Sequence, residues 1–505
     1  MAREQKHPKE IMDKDELVGR NVAIFFTMAS LSPVIELHAA MTRDLLSRGN
    51  KVTVYVCDSS FKSPMDNPFN RKSMHAFKMF RVRDALRGLD VRLKIINLNG
   101  QSEIVPEKTA TALEIGVMSS FASMFRAQNK EELSTKALGA YANMLRSAKK
   151  LYNYFMKEVR GEKYEFIFMF NGRFGCVRPA LEAARDLGIG FGLYEVKKSV
   201  TEIVFLNELI HSIDGNTRRA LEFYEKDKEG AAVNAKKFFE KKIENKATGD
   251  PIYTKKQKKG SIPEAIIGTT KKIIAIYPTT EDEYKFIGKE WDGFVPESQV
   301  DEIEKLAMSL PPDKYLLVVK MHPNQVHTAE DTLGKYMALA KEHSHVIVED
   351  PFSTKDTYAL MHSADVIITF ASTIGVEACY AEKPVILIGD TNWGKMDVAH
   401  KVYSGEEAAT LIKRGVSPKP ILGAIIWGNY LYSYRDVLPS LKIVAIGDYF
   451  VDGRRIGKST WRRILQLPAK LELDMSRPGF KFSTRFFLKI IDTILNIAKG
   501  KWAAK

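Results

Sequence analysis

With 505 residues, 45% of them hydrophobic and 27% charged, the chain has the composition of an ordinary globular protein and the length for two or more domains with ample core. The formal net charge of +14 favours polyanions, anionic lipids or phosphorylated substrates, but no helix-turn-helix, zinc-finger spacing or RNP motif accompanies it, so nucleic acid is not the expected partner. Three scattered cysteines, Cys57, Cys176 and Cys379, show no metal-ligand spacing and suit a reducing compartment, no apolar run is long enough to span a bilayer, and residues 1–20 carry no signal-peptide core, so the expected location is the cytoplasm.

Residues 1–18 read as a polar, flexible lead-in. The spacing then predicts a strand at 21–26, a loop at 27–33, a helix at about 34–48 closed by Gly49-Asn50, and a strand at 51–57. This βαβ opening lacks the glycine trio of a dinucleotide fingerprint. Glu36 and His38 fall on its helix, where either is placed to act as a base on an acceptor hydroxyl or simply to sit on a solvated or satisfied face. A basic loop and helix follow, then a strand at 91–98 and a largely helical stretch over 107–160 whose Met and aromatic spacing suits core packing.

The segment 164–195 predicts a strand at 166–170, the turn Asn171-Gly172-Arg173, a helix at about 177–187, and a strand ending at Tyr194-Glu195. Gly172 permits close backbone approach. Arg173 offers a forked donor for phosphate or carboxylate. Glu195 is the carboxylate candidate for acid/base work, because a strand terminus at a crevice can bury and polarise it. The structural alternative is that Arg173 and Glu195 pair with each other. His211 and Asp214 are further candidates. The Lys-rich run over 225–262 reads as a solvated surface and marks the expected boundary between domains 19–260 and 261–445, ahead of a basic tail at 446–505.

Beyond that boundary the sequence alternates short Val/Ile-rich runs with helical segments, the pattern of βαβ units and a parallel sheet. Strands are predicted at 272–277, 316–319, 346–348, 366–369 and 385–388. Polar residues cluster just after them: Thr279, Thr280 and Glu283; Lys320 and His322; Ser372 and Thr373; Asp390. Ligands bind beyond the carboxyl ends of such strands. Ser372 and Thr373 are suitable N-cap residues, and a helix start there favours a diphosphate. Glu377, one turn on, is placed either to accept from a sugar or ribose diol or to complement the helix dipole. The final segment, 481–505, is amphipathic and fits either a helix packed on the core or an interfacial helix on an anionic membrane.

The motifs KMHPNQ, DPFS and SADVIITFASTIGVEACYAEKPVILIG resemble the donor-binding half of GT-B glycosyltransferases, above all those that build bacterial capsule and other surface polysaccharides. The strand–NGR–helix–strand–YE segment is similar to the same group, and Thr279-Thr280 stands where that group has a Ser-Ser turn. One departure is that Val196-Lys197-Lys198 follows Glu195, where the group often continues with Arg-Gly. The resemblance implies an α/β fold of two Rossmann-like domains facing a central cleft, with C-terminal helices crossing back. It implies a nucleotide-sugar donor, a glycan or lipid-linked acceptor, and no metal or cofactor. It implies catalytic roles for Glu195, His322 and Arg173 and donor binding by Thr279, Thr280, Lys320, His322, Ser372, Thr373 and Glu377. Asn171, Gly172, Glu36 and His38 are its acceptor-side candidates. Peripheral attachment to the inner membrane face is a further expectation. The alternatives are a nucleotide-sugar 2-epimerase of the same architecture and a non-catalytic polysaccharide-assembly protein.

Overall fold

The structure, a computed structural model, describes residues 17–477 apart from 128, 198–200, 245–255, 282–283, 285, 289–295, 328–329, 435, 437, 446–447 and 458–466. Most of the lead-in, Glu283 and the amphipathic segment 481–505 therefore lie outside the described residues. The chain packs as two compact units, one up to Ile210 and again beyond Tyr434, the other His211–Tyr434.

The first unit is built on a six-stranded sheet of order β3-β2-β1-β4-β5-β6, comprising β1 (Asn21–Phe26), β2 (Lys51–Cys57), β3 (Arg92–Ile96), β4 (Phe166–Phe170), β5 (Gly190–Lys197) and β6 (Thr201–Leu206). All neighbours are parallel except β5 and β6. Central β1 and β4 are continuous apolar runs, NVAIFF and FIFMF, because helices cover both faces of the sheet. At the edge, β3 leaves Leu93 and Ile95 exposed, while Lys94 is half-buried and bonds Glu158 and Glu162. Helices α1 (Val34–Ser47), α2 (Lys72–Ala85), α3 (Glu107–Phe125), α4 (Thr135–Glu162) and α5 (Arg178–Asp186) complete the layers. After Tyr434 the chain returns to this unit as an antiparallel hairpin, Leu441–Ala445 with Asp448–Val451, pinned to α1 by Arg43–Asp452 and to α2 by Arg454–Asp84.

The second unit has a wholly parallel sheet of order β12-β11-β10-β7-β8-β9. Its strands are β7 (Lys272–Tyr277), β8 (Tyr315–Lys320), β9 (Val346–Glu349), β10 (Val366–Thr369), β11 (Val385–Ile388) and β12 (His400–Val402). Its helices are α6 (Ile213–Lys226), α7 (Lys228–Ile243), α8 (Gln299–Ser309), α9 (Glu330–Glu342), α10 (Thr357–Ser363), α11 (Ile374–Tyr380), α12 (Gly405–Arg414) and α13 (Leu422–Ser433). One core cluster joins the strands to α8, α9 and α12 through Ile276, Ile303, Val319, Leu339, Ile368 and Ile412.

The compact division thus falls at Ile210/His211, whereas composition places the boundary within the Lys-rich run near 260. The reason lies beneath the lysines. Helix α7 buries Ala231, Ala235, Phe238 and Phe239, and a Cβ on Gly428 of α13 would come within 2.9 Å of the Phe239 ring. That close packing holds α6 and α7 in the second unit. Among the described residues, no helix is long and apolar enough to cross a membrane.

Candidate functional site

In each unit the chain runs outward from a first central strand, then returns to that strand's other side. The strand order therefore reverses between β7 and β10 in the second unit and between β1 and β4 in the first. Crevices beyond the carboxyl ends of strands at such reversals are where open α/β sheets bind ligands.

In the second unit, Thr279 and Thr280 follow β7 and are about as buried as the strand itself. Their turn is held by Gln299, the first residue of α8. Its side-chain Oε1 accepts from the Thr279 N–H at 2.9 Å, and its backbone N–H donates to Glu281 at 3.0 Å. Across the reversal, the Thr369 hydroxyl donates to the Tyr277 carbonyl and accepts from the Ser372 N–H at 3.1 Å. The β7 and β10 turns are thereby locked to each other.

Lys320 closes β8 and is 5% exposed. Its ammonium makes one hydrogen bond, to the Ser353 carbonyl at 3.4 Å. Burial lowers its pKa, opposed by the nearby carboxylates of Glu349, Asp350 and Asp356. Two residues on, the His322 N–H donates to Gln325 Oε1 at 2.7 Å, and Nδ1 of its ring accepts from the Asn324 N–H at 3.1 Å. A lysine and a histidine thus stand together at the end of one strand, beside the reversal.

The β10 turn departs from its expected capping. Thr373 has φ −63° and ψ −15° and makes no side-chain cap; its hydroxyl instead reaches forward to Glu377 Oε1 at 3.3 Å. Ser372 Oγ accepts weakly, at 3.4 Å, from the Ile374 N–H. Glu377 is buried, and its other oxygen accepts from the Tyr358 hydroxyl at 2.7 Å. The carboxylate is oriented by two hydroxyls, one from its own turn and one from α10. Gly375 is obligatory here, because a Cβ would lie 2.8 Å from the Trp393 ring. Asp390, after β11, ties its own loop by accepting from the Thr391 N–H at 2.8 Å and from Lys401 Nζ at 2.6 Å.

In the first unit, Asn171 and Gly172 both take positive φ, 61° and 89°. A side chain at Gly172 would meet Leu193 at 2.9 Å, so both conformation and space call for glycine. Asn171 Nδ2 donates to Glu195 Oε2 at 2.6 Å, joining the turn after β4 to β5, which runs on to Lys197 in its pairing with β6 instead of ending at Glu195 as the sequence suggests. Arg173 lies over the Phe174 ring at 4.7 Å and bonds Ser123 at 3.4 Å. Asn171, which the sequence placed only among the acceptor-side residues, thus holds Glu195 from the turn after β4.

His38 and Glu36 are buried inside the fold, which fits the satisfied core residue among the two roles the sequence leaves open for them. His38 is fully buried, stacked on Phe26 at 4.5 Å. Its Nε2 donates to the Thr27 carbonyl at 2.7 Å, and its Nδ1 accepts from the Tyr194 hydroxyl. Burial lowers its pKa to about 3, so it is neutral near pH 7. Glu36 forms a buried pair with Arg81 at 2.6 Å. Arg81 also bonds the Ser30 carbonyl and the Ser32 hydroxyl, stapling the loop after β1 from α2. Asp214 is exposed and pairs with Lys395, while His211 is half-buried just outside α6. The one group of potential metal ligands among the described residues, Glu304, Glu342 and His343, belongs to α8 and the end of α9 and not to a strand-end crevice.

No family model matches the sequence, and no curated protein matches it. Solved structures do show likeness. KpsC of Thermosulfurimonas dismutans, described as a beta Kdo 2,4 transferase, is 15% identical over 54% of this chain and 81% of its own, with a TM-score of 0.36. The S. aureus MnaA–UDP structure is 13% identical over 82% of this chain and 93% of its own, with a TM-score of 0.27. Acinetobacter baumannii MurG is 13% identical over 83% and 97%, also at 0.27. These are distant likenesses of fold, and the chemistry of the site stands on its own residues.

Proposed function

We propose that the second unit binds the diphosphate of a nucleotide-sugar at the β7/β10 reversal, and that the chain is a glycosyltransferase of surface polysaccharide synthesis, moving the sugar to a glycan or lipid-linked acceptor. The observation that carries this reading is Lys320. A buried ammonium with one long hydrogen bond keeps donor capacity to spare, at the strand end where the hydroxyl-bearing turns of Thr279, Thr280 and Ser372 converge.

The chemistry follows from charge. As the bond from the anomeric carbon to the diphosphate breaks, negative charge grows on the leaving oxygen. Lys320, the Nε2–H of His322 and the Ser372 hydroxyl are preorganised donors for it, while the Thr373 hydroxyl donates to Glu377. Glu377, oriented by Tyr358 and Thr373, is the carboxylate to accept from a hydroxyl of the bound nucleotide or sugar. In the first unit, Glu195, held by Asn171, is the carboxylate to take the proton of the attacking acceptor hydroxyl, and Arg173 supplies positive charge from the same turn as Asn171. This scheme assigns no role to a metal or cofactor. The proposed setting is cytoplasmic, and any membrane contact rests on 481–505, outside the described residues.

The test is a panel of nucleotide-sugars incubated with the protein, with and without oligosaccharide and lipid-linked acceptors. A transferase releases nucleotide only when an acceptor is present. Conversion of the nucleotide-sugar to its 2-epimer without acceptor would instead establish the epimerase. No turnover and no binding in folded protein would leave the non-catalytic assembly role.

A further inference from the structure

The first unit holds three buried polar groups that the fold does not fill. Asp66 is 7% exposed; its Oδ2 accepts from the Ser30 hydroxyl at 2.8 Å and the Ser30 N–H at 3.3 Å, while its Oδ1 is buried with no hydrogen bond. Thr27 is 5% exposed, and its hydroxyl likewise has no partner. Lys78, on α2, is 8% exposed, and its ammonium makes one hydrogen bond, to the Cys57 carbonyl at 3.3 Å.

These groups belong to one neighbourhood. Phe26 is the register partner of Val56, so Thr27 and Cys57 follow each other's neighbours at the ends of adjacent strands β1 and β2. Lys78 donates to Cys57 there, and Asp66 holds Ser30 of the loop that Thr27 begins. Lys78 and Asp66 both act electrostatically on the His75 ring and the Cys176 thiol. Even so, the two charges form no ion pair with each other. Buried polar atoms left this poorly partnered cost the fold free energy, and two charged side chains and a hydroxyl in that condition beside the β1 reversal are uncommon for packing alone.

We propose that Lys78, Asp66 and Thr27 form a ligand subsite in the first unit for an anionic group flanked by hydroxyls, as on an acidic sugar or a sugar phosphate. Lys78 takes the negative group. Asp66 Oδ1 and the Thr27 hydroxyl take the neighbouring hydroxyls. The subsite deepens the glycosyltransferase reading, on which it rests, by giving the acceptor a charged residue.

The experiment is calorimetric titration of the full-length protein with glucuronate, glucose 6-phosphate and glucose, with melting followed in parallel. The wild type should bind one of the two anions at least about tenfold more tightly than glucose, and which one wins distinguishes a carboxylate from a phosphate. Lys78→Met should abolish that preference, and the unliganded variant should melt no lower than the wild type, because it loses a poorly paired buried charge. Thr27→Val removes a hydroxyl that bonds nothing in the fold, so it should fold normally and bind the preferred anion several-fold more weakly. Equal affinity for all three sugars in the wild type would overturn the proposal, as would unchanged anion affinity in Thr27→Val. Nucleotide binding, a property of the second unit, is read separately. Its loss with sugar binding intact would remove the glycosyltransferase reading and leave the subsite; the reverse would remove the subsite alone.

Discussion

Nδ1 of His322 accepts the backbone N–H of Asn324 at 3.1 Å, which places the ring proton on Nε2. The donor nitrogen of this tautomer is on the far side of the ring from the Asn324 N–H. His322→Ala is therefore expected to cost about a hundredfold in kcat, the scale of one lost charge-stabilising donor. Nucleotide affinity should fall much less, because the donor matters most as charge develops. Steady-state kinetics beside direct nucleotide titration check both parts. Equal losses in kcat and in nucleotide affinity would assign His322 to ground-state binding.

Gly375 faces the Trp393 ring with no room for a methyl group. Gly375→Ala should destabilise the protein by about 1–3 kcal/mol, the usual range for overpacking. Trp393→Phe should recover part of that loss in the double variant, since the Trp393 Nε1 is buried without a hydrogen bond and its removal forfeits none. Denaturant midpoints of the four proteins in the cycle provide the measurement.

His38 makes stability depend on acid. Burial first, and Lys78 in addition, hold its pKa at about 3 in the folded protein, against 6.5 ordinarily; the bond to Thr27 opposes them. Between those values the unfolded chain binds a proton that the folded one does not. Stability from this group is thus complete above 6.5 and is lost as pH falls towards 3, by at most about 1.4 kcal/mol per pH unit. His38→Gln should flatten the wild-type slope across that window. Identical slopes would mean that the buried imidazole takes up its proton at an ordinary pH.

The Arg81–Glu36 pair is buried on both sides. Arg81→Met should cost about 3–5 kcal/mol, because it strands the Glu36 carboxylate as well as freeing Ser30 and Ser32. The double variant Arg81→Met/Glu36→Leu should recover much of this, and a thermodynamic cycle measures how much.

The second unit was the more legible part of the fold. Its strands are covered on both faces, so they appear in the sequence as unbroken Val/Ile runs, and the observed β7 to β11 match the predicted strands to within a residue or two. The polar residues after those runs mark strand ends whatever the tertiary packing. Less legible were β12, three residues long, and the antiparallel β6 and β13–β14 pair (Leu441–Ala445 with Asp448–Val451), which carry mixed polar and apolar residues without a clean alternation. Lysines on α7 masked the apolar stripe that assigns it to the second unit. Gln299, Tyr358, Trp393 and Arg81 escaped notice for a different reason: each reaches its turn from a distant element, and no local pattern announces such a reach. For His38, sequence could offer a base or a core residue; only the contacts with Thr27 and Tyr194 decide between them.

The most direct measurement is calorimetric titration of the wild type and Lys320→Met with UDP, CMP, CDP, GDP and their sugars. One nucleoside diphosphate, with its sugar, should bind saturably to the wild type, more tightly than CMP does, and at least about tenfold more weakly to the variant, whose unliganded melting temperature should not fall. Absence of binding to folded wild-type protein, or equal affinity in Lys320→Met, would contradict a diphosphate site at the β7/β10 reversal.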